Sequence, residues 1–269
     1  MKKVILVTGA SSGIGLACAN ALQEKGHIVY GSTRNLQRMK TVPFRPIELD
    51  VTDDTSVRAA VEQILKAEGR IDVLVNNAGN CVVGPAYAMP VEMAQKQFEV
   101  NFFGIVRMCN TILPGMIENK KGLIVNMGSL AGLMGLPYQS MYVASKYALE
   151  GYTQSLRMEL RSTGVKVVIL NPGDFNTPIT QNREKAPFTM QHPALEKAYY
   201  AVIANIEKNE GTAASPAAIG ARLCKIVAAK HPAYRYLIGP TGQTIVPMLK
   251  QILPGRWFDK LMNDYYGVE

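Results

Sequence analysis

The run Val4-Ile5-Leu6-Val7-Thr8-Gly9-Ala10-Ser11-Ser12-Gly13-Ile14-Gly15 decides how the rest of the chain is read. Four apolar residues make a short buried strand, and the glycine-rich turn after it leads straight into an apolar-periodic helix over 14–25. Strand, glycine turn, helix leaves backbone N–H groups free at a helix N-terminus, where the dipole favours an anion. Glycines allow the tight turn and let the backbone approach a pyrophosphate, so Gly9, Ser11, Ser12, Gly13, Ile14 and Gly15 are candidates for holding a dinucleotide. The spacing is G-x-x-x-G-x-G, not the standard G-x-G-x-x-G, so the turn's place at the first strand-to-helix junction carries the argument.

Outward from this turn the alternation continues. Short β-branched runs at 4–7, 28–32, 46–49, 71–75, 123–126, 165–170 and 234–238 predict strands. Helical patterns occupy 14–25, 55–67, 91–118, 140–161, 194–209 and 216–229. Asp53 or Asp54 suits the N-cap of the second helix and Gly26 the end of the first. This order predicts an α/β fold: a Rossmann-like, doubly wound parallel sheet of about seven strands with helices on both faces. Without repeats or dividing linkers, residues 1–269 read as a single domain. Residues 171–192 break the pattern around Pro178 and Pro187, and a loop that long suits a substrate lid, drawn here as 178–210. A helical extension follows over 241–269, with Ile245, Met248, Leu249, Ile252, Leu253, Trp257, Phe258, Leu261 and Met262 in an amphipathic pattern interrupted by Pro247 and Pro254.

Composition narrows the function. With 48% hydrophobic and 19% charged residues the chain is globular, far from the composition that keeps a chain disordered. Twenty-nine basic against 21 acidic residues give +8, which suits an anionic ligand such as a phosphate-bearing cofactor. Nucleic acid is not expected, because the longest basic runs are the pairs Lys2-Lys3 and Lys120-Lys121. Cys18, Cys81, Cys109 and Cys224 are scattered, with no C-x-x-C and no metal-ligand spacing, which points to reduced thiols, a cytoplasmic protein and no metal site. The apolar run after Lys2-Lys3 ends after four residues, too short for a signal peptide or a membrane span.

The end of the second strand, Gly31-Ser32-Thr33-Arg34, bears on the choice of nicotinamide cofactor. An enzyme reading the ribose hydroxyl of NAD wants a carboxylate there. Here Thr33 leaves room for a 2′-phosphate and Arg34 offers it a planar fork, so NADP(H) is expected over NAD(H). Asp50-Val51 after the third strand suits the adenine edge, and Asn77-Ala78-Gly79 after the fourth leaves space for the cofactor.

Tyr142 and Lys146 stand one helical turn apart on one face, and Ser129 follows the fifth strand at the ligand-binding edge of the sheet. Moving hydride between a nicotinamide and a carbonyl requires a matching proton on oxygen. A lysine ammonium roughly 5 Å away, at an effective dielectric of about 20, would stabilise a tyrosine phenolate by about 3 kcal/mol, or about two pKa units. The Ser129 hydroxyl can hold the substrate oxygen. Asn101 stands in the apolar stretch Val100-Asn101-Phe102-Phe103-Gly104, needs partners if buried, and could hold a water that links Lys146 to solvent.

Together these residues resemble the short-chain dehydrogenase/reductase family over about residues 3–240. The resemblance rests on the turn at 8–15, Asn-Asn-Ala-Gly at 76–79, Asn101, Ser129, Y-x-x-x-K at 142–146, and Pro172-Gly173 with Thr177. It implies that Ser129, Tyr142 and Lys146 are catalytic with Asn101 as a fourth member. It also implies that Lys146 binds the nicotinamide ribose, that Thr177 binds the carboxamide, and that Pro172 and Gly173 line the cofactor site. One NADP-type pattern of the family has a basic residue before the second turn glycine, where this chain has Ser12. By the same resemblance the helices at 91–118 and 140–161 build a homodimer or homotetramer. Leu130, Leu133, Met134, Leu136, Pro137, Phe175 and Met190 suggest a lipophilic ketone or secondary alcohol of hydroxysteroid-like kind. The tail is similar to that of hydroxysteroid and retinol dehydrogenase-like members; it could cap the pocket, meet a neighbouring subunit or touch a membrane surface, and core packing explains it equally well. The rival readings are a 3-oxoacyl carrier protein reductase, against which the tail argues, and a non-catalytic NADP-sensing protein, which would not need the tyrosine and lysine.

Overall fold

Val4–Val7 (β1) is buried at every position, as expected of a central strand in a parallel sheet covered on both faces. Val4 and Leu6 join one apolar cluster while Ile5 and Val7 join another, the period-two alternation of a strand separating two cores. The computed structural model describes residues 2–179, 182–187 and 193–268. Chain order runs β1, α1 (Gly13–Glu24), β2 (Ile28–Thr33), β3 (Arg45–Glu48), α2 (Asp54–Glu68), β4 (Val73–Asn76) and β5 (Val82–Val83). It continues with α3 (Val91–Phe98), α4 (Gly104–Glu118), β6 (Gly122–Met127), α5 (Ser140–Glu159), β7 (Val165–Pro172) and β8 (Glu184–Lys185). The last elements are α6 (Pro193–Gly211), α7 (Ala217–Ala228), β9 (Arg235–Ile238), α8 (Thr241–Thr244), α9 (Val246–Ile252) and α10 (Gly255–Tyr266).

The main sheet has seven parallel strands in the order β3-β2-β1-β4-β6-β7-β9. Strand order reverses between β1 and β4, and ligands of open α/β sheets bind in the crevice at such a switch point. Residues of α2, α4 and α5 fill one face, with Val57, Ile64, Met108, Ile112 and Leu149 at its centre. On the other face α1 and α7 contribute Cys18, Leu22, Ile219 and Leu223. The expected doubly wound single domain is therefore the fold observed. Asp53 caps α2 by accepting from the Thr55 N–H at 2.8 Å, and Gly26, at φ 80°, lies just past the end of α1.

Three local features differ from the sequence expectation. The helix expected over 91–118 is interrupted by a π-helical turn, Glu99–Phe103, that carries Asn101 at its middle. The combined Val91–Glu118 helix is long and apolar enough to cross a membrane, yet α4 buries Ile105, Met108, Ile112 and Met116 in the sheet core. Within 171–192, expected to be irregular, β7 runs on to Pro172, and β8 pairs in parallel with β5 as a separate two-stranded sheet. Residues 180, 181 and 188–192, and so Met190, lie outside the described residues.

Residues 241–266 form three short helices, in keeping with the interrupted pattern; Pro254 follows the end of α9 and is the N-cap of α10. Phe258, Met262 and Tyr266 of α10 pack on Tyr199, Val202, Ile203 and Ile206 of α6 in a third cluster, together with Leu130, Met134 and Cys81. The extension thus roofs the carboxyl edge of the sheet.

Candidate active site

Gly9 and Gly13 adopt φ of 66° and 54°, a left-handed conformation that glycine takes without strain. A Cβ on Gly15 would strike the Gly9 carbonyl and stand 2.5 Å from Asn77 Nδ2. The helix can approach the strand this closely only without a side chain there. Asn77 Nδ2 donates to the Thr8 carbonyl at 2.9 Å and to the Gly9 carbonyl at 3.2 Å, and the Asn77 and Ala78 N–H groups donate to Thr8 Oγ1. Asn77 is thus a brace of the glycine turn. Ser12, the N-cap of α1, makes no side-chain cap hydrogen bond, which leaves the first turn's N–H groups to an external acceptor. A glycine turn, a positive helix end and free N–H groups fit the pyrophosphate of a dinucleotide.

The end of β2 is tied to this turn, since the Gly9 N–H donates to Ser32 Oγ at 3.3 Å and the Ala10 N–H to the Ser32 carbonyl at 2.8 Å. Thr33 is buried and its hydroxyl donates to the Asn35 carbonyl, while Arg34 is exposed. Asp50 Oδ1 accepts from the Thr52 N–H and hydroxyl, a local turn, and Val51 packs beneath Gly104. Thr177 and Pro178 lie over Gly13, so the segment after β7 meets the phosphate turn.

Ser129, Tyr142, Gly128, Pro172, Gly173, Thr177 and Ile14 line one cavity of about 110 Å³ at the carboxyl edge of the sheet. Ser129 and Tyr142 face the same cavity, with the Ser129 side chain close enough to the phenol to favour its ionised form. Lys146 Nζ lies 5.7 Å from the centre of the Tyr142 ring and donates to the Met127 carbonyl at 2.9 Å. Lys146 therefore stands near the Tyr142 ring, but the electrostatic balance differs from expectation. Burial pushes the Tyr142 phenol above its ordinary range, with the Ser129 side chain opposing. Lys146 is itself pushed down to about 8, chiefly by burial. Enclosure is the largest cause at both groups.

Asn101, fully buried in its π turn, accepts from the Asn80 N–H at 2.9 Å and donates to the Asn80 carbonyl at 3.0 Å and to Ser145 Oγ at 3.2 Å. Its amide thereby ties the chain after β4 to α5. A second network holds Ser129. Arg235 donates to Glu150 at 2.5 Å, Glu150 accepts from Asn171 Nδ2 at 2.5 Å, and the same amide donates to the Ser129 carbonyl at 2.9 Å.

Of the apolar residues expected around the substrate, Leu136 and Phe175 line the cavity, whereas Leu130 and Met134 pack in the third cluster behind it. The lining also includes Cys81, Gln139, Asp174, Ile179, Arg183 and Glu210, making it more polar and charged than the sequence implied. No spacing signal marks these residues; they converge only when α6 and α10 fold over the sheet. Burial raises the Cys81 thiol to about 11, so it is a protonated wall residue.

The family model for short chain dehydrogenase matches residues 3–187. Over 266 residues the chain is 41% identical to a 3-ketodihydrosphingosine reductase from Bacteroides thetaiotaomicron, covering 99% of this chain and 98% of that protein. A short-chain dehydrogenase from Streptomyces avermitilis has a similar structure at a TM-score of 0.82 and 28% identity, covering 100% of this chain and 98% of that one. A serine dehydrogenase complexed with NADP+ is similar at 0.74 and 26% identity over 89% of this chain and 95% of that one. With a Rossmann-like sheet, a glycine turn at its switch point and the Tyr142–Lys146 pair behind one enclosed cavity, the chain belongs to the short-chain dehydrogenase family of oxidoreductases, which act on the CH–OH/C=O pair.

Proposed function

We propose that the protein is an NADPH-dependent reductase of a lipophilic ketone, with Tyr142 as proton donor. The observation that carries this reading is the enclosure of the Tyr142 hydroxyl beside Ser129 in a cavity at the sheet's carboxyl edge, with Lys146 behind it. Ser129 and Tyr142 hydrogen-bond the substrate carbonyl oxygen. A reduced nicotinamide would supply the hydride to the carbonyl carbon. Tyr142 releases its proton to the oxygen as charge develops there, and the Lys146 ammonium stabilises the phenolate left behind. Burial holds the Tyr142 phenol above its ordinary range, so it carries its proton at neutral pH. Asn101 fixes the spacing of α5 through Ser145 and so acts as a positioning residue.

Arg34 at the exposed end of β2, with Thr33 where a carboxylate would repel phosphate, supports NADP(H) over NAD(H). The serine dehydrogenase relative is described with NADP+. Leu136, Phe175 and Ile179 in the cavity wall support a lipophilic substrate. The relative described as a 3-ketodihydrosphingosine reductase supports the same choice.

The test is absorbance of the reduced nicotinamide with long-chain ketones and both cofactors. Tyr142→Phe is expected to lower kcat by about a hundredfold to ten-thousandfold while keeping NADPH affinity. Thr33→Asp is expected to move the ratio of efficiencies toward NADH. Unchanged turnover in the first variant would remove Tyr142 from the chemistry, and an unchanged ratio in the second would remove the cofactor assignment.

A further inference from the structure

Glu150 is a charged residue to which the chemistry above gives no role, yet it is only 7% exposed and sits beside the proton-handling residues. It stands on α5 one helical turn from Lys146 and on the same face. Gly132, in the loop after Ser129, fits closely against both: a Cβ there would stand 3.0 Å from the Lys146 carbonyl and 3.3 Å from Glu150 Cγ. Each carboxylate oxygen has its own partner. Oε1 accepts from Asn171 Nδ2, and Oε2 accepts from Arg235 on the edge strand β9. Arg235 lies 5.2 Å from the centre of the Tyr234 ring, which Arg157 of α5 also approaches at 5.0 Å.

Asn171 is fully buried near the end of β7, and its Nδ2 serves both Glu150 and the Ser129 carbonyl. Turned over, the amide would aim its oxygen at a buried carboxylate, so the charge on Glu150 decides which end of Asn171 faces Ser129. The same charge acts on Lys146. Glu150 from α5 and Cys81 from the chain after β4 act on the ammonium, and Tyr142 stands one turn away. Burial keeps Cys81 and Tyr142 protonated, so Glu150 supplies the negative charge that favours the ammonium against its own burial. Arg235 of β9, and Tyr234 just before it, are the groups that act on Glu150 in turn.

We propose that Glu150 is a positioning residue that serves both halves of the proton-transfer site: through Asn171 it fixes the turn that presents Ser129, and along α5 it gives Lys146 a counter-charge. This rests on the reductase reading and deepens it. The edge strand β9 then contributes to the site through Arg235, which holds the carboxylate in place.

The test follows kcat against pH for the full chain with NADPH and the long-chain ketone that the wild type reduces best. The basic limb of that profile marks loss of the Lys146 ammonium. Glu150→Gln is expected to move the limb to lower pH by about one unit, the scale of a neighbouring unit charge at an effective dielectric of about 20. Glu150→Asp, which keeps the charge on a shorter arm, is expected to return the limb to its wild-type place while kcat stays low. Asn171→Ala is expected to lower kcat by about tenfold with the limb unmoved, less than the loss of a catalytic donor itself. Melting temperature reports whether each variant is folded, and if Glu150→Gln is not, the other two decide. A wild-type limb in folded Glu150→Gln, a limb in Glu150→Asp displaced to lower pH, or wild-type kcat in Asn171→Ala would overturn the assignment and leave the reductase standing. A wild type that reduces no ketone would overturn the reductase reading itself.

Discussion

Lys146 shows how one residue's surroundings decide its chemistry. Y-x-x-x-K places its ammonium near the phenol, but the sequence holds no information on how dry that position is. In the folded chain Lys146 is 5% exposed, donates to the Met127 carbonyl and is pushed down to about 8. An unfolded lysine keeps its proton to about 10.4, so between pH 8 and that value the unfolded chain binds more protons and the native state gains stability as pH rises. At lower pH the buried charge opposes folding. Lys146→Met is expected to remove this term, worth roughly 3 kcal/mol across the window. Melting curves at pH 7.5 and 9.5 should show wild type gaining on the variant, and parallel behaviour would mean that burial does not set this proton. Above pH 10 the raised Tyr142 reverses the sign, because the unfolded phenol ionises first. Tyr142, Ser129 and Lys146 were legible in the sequence as a group; Arg183, Asp174 and Glu210 were not, because their meeting depends on separate elements folding over one edge.

At the scale of elements, α1 carries the glycine turn at one end and packs along α7. Gly220 makes that packing close, since a Cβ there would stand 2.7 Å from the Ala17 carbonyl and 3.0 Å from Ala21 Cβ. A glycine inside a helix costs about 1 kcal/mol relative to alanine, which the close approach offsets. Gly220→Val is expected to destabilise the protein by about 1–3 kcal/mol through overpacking. It should also weaken NADPH binding, because α1 cannot shift without moving Gly13 and Gly15. Urea unfolding together with cofactor titration tests this, and an unchanged midpoint would refute the packing argument. The seven main strands were readable because buried β-branched runs end at polar turns. The β5–β8 pair was not, since two strands of two residues leave no period to detect. Nor was the π turn, whose extra residue leaves the apolar pattern of 91–118 looking continuous.

Across the whole molecule, the third apolar cluster sits apart from both sheet faces and joins α6, α10 and the loop after Ser129. Phe258 is 7% exposed within it, while Met248, Ile252 and Trp257 on the same extension are more than half exposed. Phe258→Ala is expected to cost about 3–5 kcal/mol locally. Hydrogen exchange should quicken in α6 and α10 while β1, β4 and β6 keep their protection; loss of protection throughout would show one cooperative unit instead of a roof on a stable sheet. The order of strands and helices, the glycine turn and the grouping of Ser129, Tyr142 and Lys146 followed from the sequence alone, because local periodicity, turn chemistry and helical spacing act within a few residues of each other. The charge lining the cavity, the proton affinity of Lys146 and the packing of the last three helices were decided by tertiary structure, because burial and long-range encounters set them and neither is written in any short stretch of chain.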